Sequence, residues 1–219
     1  MQKLDGIVWG ALVLLVGSVP LARADPTAKP AVPPTASPKA GRDGPTGGGD
    51  PGWARCPRDV PGALKPPADA TLDLALPARG VQIYVCSAPA TGGAAPAWTL
   101  KAPHAVLFQG LQAGAIHFAG PTWQALDGSL VTATKSASAP SPDGVAIPWL
   151  LLKAATHAGP GSFAGTTWIQ RLATVGGAAP ATGCDAAHLK AEVLVPYAAD
   201  YFFYRAAAAG KPVRQCPGA

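Results

Sequence analysis

AWTLKAPHAVLFQGLQAGAIHFAGPTWQALDGSLVTATK, residues 97–135, is the stretch whose reading decides the fold. Its apolar residues come in short runs with a period of two. Trp98 and Leu100 alternate with Thr99 and Lys101, and Ile116 and Phe118 flank His117. That alternation is the mark of a strand with two unlike faces. The runs are cut by Gly- and Pro-containing turns, among them Asp127-Gly128-Ser129, a strong breaker of regular structure.

The same pattern extends in both directions. Upstream, Val81, Ile83 and Val85 alternate with Gln82 and Tyr84; downstream, Ser141-Pro142-Asp143-Gly144 and Gly176-Gly177 punctuate further apolar runs. Ten stretches read as strands: 71–76, 81–86, 97–102, 105–109, 115–119, 130–135, 147–154, 167–175, 192–197 and 201–205. Tyr197 and Tyr201-Phe202-Phe203-Tyr204 read as a strand buried on both faces. Only 185–190 suggests helix, a single turn with Asp185 placed to cap it. The expected fold is all-β: one antiparallel β-sandwich or barrel-like domain of about nine to ten strands, with very little helix.

Composition supports this reading and removes several others. Gly (26) and Pro (25) are too frequent in 219 residues for a long-helix protein. A hydrophobic content of 48% with six Trp is too high for a wholly disordered one. The chain has no Asn, hence no N-glycosylation acceptor, and a single Glu, Glu192. Its net charge of +5 is spread over isolated Lys and Arg. Nucleic-acid binding would need them clustered on one face, so no nucleic-acid partner is expected.

The first residues have the form of an export signal. Lys3 precedes an apolar core from Ile7 to Val19, closed by Pro20, and Ala22-Arg23-Ala24 has the small-x-small pattern of a cleavage site. The core is shorter than the roughly 20 residues a membrane span requires. Residues 1–24 are therefore expected to be a signal peptide, and the mature chain to be secreted or periplasmic without a transmembrane segment. Residues 25–52, rich in Pro and Gly with Val32 as their one large aliphatic, read as a disordered linker. Residues 53–219 form the folded domain, expected to be a monomer.

Four cysteines in an exported chain argue for two disulfides. Cys86–Cys184 with Cys56–Cys216 is the preferred pairing, although spacing alone leaves the other two open. There is no CxxC, and His104, His117, His157 and His188 are too far apart in sequence for a metal-binding pair. Neither a metal nor a cofactor is expected.

Residues from about Val60 to Arg205 resemble domain-of-unknown-function family 3455, exported proteins of bacteria and fungi. The segments carrying the resemblance are LKPPADATLDLAL (64–76), GVQIYVC (80–86), AWTLKAPHAVLF (97–108), HFAGPTW (117–123), DGS (127–129), SAPSPDGVAIPWLLLKAATH (138–157), WIQRLATVGGAAPATGCDAAH (168–188) and VPYAADYFFY (195–204). The resemblance implies export and brings no activity or catalytic residue with it. Some fungal relatives carry a malate dehydrogenase label. This chain has no βαβ alternation and no nucleotide-binding loop to match it. Gly47-Gly48-Gly49-Asp50-Pro51-Gly52 fits GxGxxG only in letters, with no strand before it and no helix after it.

An internal echo adds one more expectation. Trp98–His104 resembles Trp149–His157, and each is followed by Phe-Ala-Gly-x-Thr-Trp, at 118–123 and 163–168. The echo is either chance in an Ala/Gly/Thr-rich chain or a duplicated β unit. A duplication would set Lys101 and His104 against Lys153 and His157, with a ligand site between the halves.

The candidate ligand-binding residues are His117, Trp123, Asp127 and His157. His117 faces away from Ile116 and Phe118, and its plainer reading is a surface or rim histidine rather than an acid-base group. Trp123 could line a pocket for an apolar or sugar ligand, with core packing as its plainer role. Asp127 and Ser129 could be drawn with His117 as a triad, but no GxSxG elbow is present. The function expected is that of a non-catalytic exported module binding a small molecule, glycan or envelope component. One alternative is a hydrolase using His117 and Asp127; another is a structural or stress-related surface protein.

Overall fold

A computed structural model of the chain describes residues 56–89 and 95–207. The expected signal peptide and linker, and Cys216 of the second expected disulfide, lie outside them. Eight strands follow one another in order: β1 (Ala70–Ser87), β2 (Ala97–Gln109), β3 (Gln112–Phe118), β4 (Thr122–Ala125), β5 (Leu130–Ala139), β6 (Trp149–Ala158), β7 (Thr166–Gly176) and β8 (Glu192–Ala206). Each pairs antiparallel with the next, and β8 returns to pair with β1, so the sheet closes into a barrel. The all-β expectation holds in its barrel form. The helical turn at Ala186–His188 is capped by Asp185, whose side chain accepts from the amides of Ala187 and His188.

Ten expected strands become eight for a local reason. β1, β2 and β8 each run through a point that reads as a break. Pro77 lies one residue before β1 begins to pair with β2; Pro103 lies just before β2 begins to pair with β3; Pro196 lies just past the end of the β7–β8 register. A proline has no N–H to give a second neighbour, and each of these three lies where the ladder to its second neighbour begins or ends. β4 was hidden by its brevity: four residues behind a Gly-Pro turn.

Gly80 has a different role. It pairs with Ala105 of β2 and Tyr197 of β8 at once. A Cβ there would stand 2.1 Å from the His104 carbonyl oxygen and 2.4 Å from the Ala105 Cα. Both obstacles are backbone, so relief would require β1 and β2 to part. Gly80→Ala should therefore cost about 3 kcal/mol, at the upper end of overpacking effects. Urea denaturation checks this, and a loss under about 1 kcal/mol would mean the two strands separate easily.

Alternation along the closed strands divides the apolar residues into two layers. Inside the barrel lie Leu76, Leu107, Trp123, Val131, Leu152, Phe163, Ile169, Tyr201 and Phe203, with Ala at several crowded positions. Outside, Leu72, Trp149, Leu151, Leu172, Phe202 and Tyr204 are covered by Val60 and Leu64 of the segment leading into β1. Gln170 fastens that segment. Its Nε2 donates to the Leu64 carbonyl at 2.6 Å, and its Oε1 accepts from the Tyr204 hydroxyl at 2.6 Å. Fully buried, with both ends of its amide bonded, it adds specificity without leaving an unpaired polar group.

Cys86 and Cys184 form a disulfide with their Cα atoms 5.3 Å apart. It ties the end of β1 to the connection between β7 and β8. The internal echo does not survive the topology. Its first copy runs from β2 to β4, and its second runs from β6 to β7. Trp123 lies in the barrel interior, whereas Trp168 packs against the outer layer. The likeness is compositional, and the case for a site between two halves ends with it.

Candidate functional site

The interior is apolar along most of its length and polar near one mouth. β1 sends in Gln82, β3 His117, β4 Trp123, β7 Arg171 and β8 Tyr201, and all five line a cavity of about 270 Å³. Leu100, Pro103, Pro121 and Leu152 supply apolar wall. Lys101 reaches the rim, where it forms an ion pair with Glu192.

His117 and Trp123 face each other across β3 and β4. Their rings stack with centroids 4.3 Å apart and planes 7° from parallel, and Tyr201 meets both edge-on. His117 Nδ1 lies 2.8 Å from the Thr122 carbonyl oxygen. A carbonyl can only accept, so Nδ1 carries the proton and Nε2 is left as an acceptor. Burial pushes the imidazole down to about 4, helped by the charge of Arg171 and opposed by the Thr122 bond. His117 is neutral at pH 7.

That burial has a consequence for stability. Unfolded, the ring takes up a proton near its ordinary value of 6.5; folded, it does so only near 4. Between those limits the unfolded chain binds more protons, so stability falls as pH falls. The contribution of His117 is fully present above about 6.5 and lost below about 4, a change of about 3 kcal/mol. Denaturation midpoints measured from pH 7 to pH 4 should follow that slope in the parent and flatten over the same window in His117→Gln. An unchanged slope in the variant would assign the acid sensitivity to other groups.

Two donors in the wall have nothing to donate to: Gln82 Nε2 and Trp123 Nε1 are buried without a hydrogen-bond partner. Arg171 is half-buried. Its Nε and Nη2 donate to the Pro148 carbonyl at 3.3 and 2.8 Å, and it forms no ion pair with any described carboxylate. Tyr197 and Tyr201 hold their hydroxyls 3.4 Å apart. Burial pushes both phenols up, so they stay neutral.

Of the four residues singled out in the sequence, His117 and Trp123 meet in this cavity, while Asp127 and His157 lie elsewhere. His117 is an interior group, 3% exposed, and not the surface or rim histidine expected. Asp127 sits in the turn after β4. One carboxylate oxygen accepts from the Ser129 amide and hydroxyl at 2.9 and 2.6 Å, the other from the Ser162 amide and hydroxyl, each at 2.7 Å. These bonds hold its carboxyl well below the usual carboxylate range. Ser129 Oγ in turn accepts from the Phe163 amide at 3.1 Å. The arrangement is a clasp between two turns. His157 lines a separate groove with Lys153 and Trp168, and its Nε2 lies 2.7 Å from the Thr166 carbonyl oxygen.

Sequence reasoning missed Gln82 and Arg171. Gln82 is a lone polar residue inside an apolar run and Arg171 follows Gln170 inside another, and those interruptions were the available signal. A family model described as "Protein of unknown function (DUF3455)" matches residues 67–205. No curated protein and no solved structure matches the chain.

Proposed function

We propose that this chain, which belongs to the DUF3455 family of proteins of unknown function, is an exported, non-catalytic barrel that binds one small molecule in the cavity at its mouth. An eight-stranded barrel is just wide enough for its side chains to fill it or for one small ligand to enter. Here the filling stops short, and the space left is walled by apolar side chains with the Arg171 guanidinium among them. That is the observation carrying the reading. A volume of about 270 Å³ falls just below the range of about 300–1,000 Å³ common to drug-sized ligands, so the molecule is compact.

Export is supported by the leader pattern in residues 1–24 and by the Cys86–Cys184 bridge, which is consistent with an extracellular location. No helix among the described residues is long and apolar enough to cross a membrane. The hydrolase alternative needs His117 and Asp127 in one site, and no observation favours it.

The test is a fragment screen followed by NMR, with ring and indole signals of His117 and Trp123 as reporters. Fragments that bind should move both signals. Ala102→Trp, which places an indole in the cavity wall, should abolish those shifts while the rest of the spectrum is kept. Fragments that bind the variant as well as the parent would place binding elsewhere.

A further inference from the structure

We infer that the molecule held in this cavity is a small organic monoanion, a carboxylate on a compact apolar body, with Arg171 as its counter-ion. The inference rests on the reading that the cavity binds a ligand, and it specifies which kind.

Charge balance is the first argument. A cation taken out of water is ordinarily paired, because desolvation costs several kcal/mol unless an opposite charge or good hydrogen bonds offset it. Arg171 stands in the cavity wall with a backbone carbonyl and no described carboxylate as partner. The other ionisable groups of the wall do not supply the missing charge. His117 and Tyr201 are neutral, and Lys101 at the rim is paired with Glu192. Among the described residues the site therefore carries one positive charge without a counter-charge, which matches one negative charge on a ligand and not two.

Donor chemistry is the second. A guanidinium with three further N–H groups suits the two oxygens of a carboxylate. A cationic ligand would meet donors and a like charge. A neutral apolar one would leave the guanidinium without a counter-charge.

The remaining wall fixes the rest of the molecule. Leu100, Pro103, Pro121 and Leu152 offer no hydrogen-bonding side chain, so the body beyond the carboxylate is apolar. Space for little more than a small ring system excludes long acyl chains and oligosaccharides.

Three probes of one shape test this on the purified protein: 2-naphthoate, 2-naphthamide and 2-naphthylmethylamine, titrated at pH 7 with the Trp123 indole signal as the local reporter. The expected order is naphthoate tightest, by roughly tenfold or more over the amide, with no binding of the amine. Arg171→Gln should reduce naphthoate to the affinity of the amide and leave the amide unchanged. Arg171→Lys, keeping the charge, should restore most of the preference. Equal binding of naphthoate and naphthamide by the parent would overturn the anion assignment and leave the binding cavity standing. Failure of all three to move the Trp123 signal would overturn both. The comparison on the parent decides the matter even if an Arg171 variant does not fold.

Discussion

Replacing Cys86 and Cys184 together by Ser should lower stability by about 4–5 kcal/mol, the entropy released when a loop of roughly 100 residues is opened in the unfolded chain. The bridge spans 98 residues, and its Cys86 end is buried. The backbone around it should remain in place. Cys86 N–H still donates to the Ala191 carbonyl, and Lys190 N–H to the Cys86 carbonyl, each at 2.9 Å. The folded state should thus look unchanged by NMR while its denaturation midpoint drops. A loss below about 1 kcal/mol would show that the unfolded chain is already restrained without this bond.

Trp123→Ala should cost about 3–5 kcal/mol, as is usual for truncating a fully buried large aromatic. Trp123 is almost wholly buried and touches three other rings: His117 in parallel at 4.3 Å, Tyr201 at 5.7 Å and Phe203 at 6.1 Å edge-on. Its loss removes apolar burial, leaves His117 without its stacking partner, and joins a new void to the existing cavity. Leu111→Ala, at a fully exposed turn position, is the control and should stay within about 0.5 kcal/mol of the parent. If Trp123→Ala costs no more than about 1 kcal/mol, the mouth of the barrel is already loosely packed and the ring network carries little of the stability.

The alternation of residues was legible in the sequence; which side faced inward was not. At Val81-Gln82-Ile83-Tyr84, the aliphatic residues suggest the core face. The barrel instead turns Gln82 and Tyr84 inward and leaves Val81 and Ile83 half-exposed. The same inversion occurs at Ile116-His117-Phe118, where Ile116 is 38% exposed and His117 is buried. A period of two is satisfied by either assignment, and only the register around the whole ring selects one. Polar side chains can face inward here because the interior is not filled, which a hydrophobicity pattern has no means of showing. The turns at Asp127-Gly128-Ser129 and Gly176-Gly177 and the capped turn at Asp185 were readable because each depends on a few adjacent residues. The meeting of His117 with Arg171 depends on strands far apart in the chain.

Closure of the ring bears on how quickly the protein can form. Seven of the eight strand pairings join neighbours in sequence, and these can zip as successive hairpins. The eighth joins the first strand to the last, pairing Ala70 with Ala206 and Val85 with Glu192. Until it forms, both β1 and β8 are open edges with apolar and aromatic side chains, the kind of surface on which chains pair with one another. Contacts between such distant residues slow folding, and all-β domains dominated by them fold in roughly milliseconds to seconds. The last pairing should therefore set the folding rate, and refolding yield should fall as protein concentration rises.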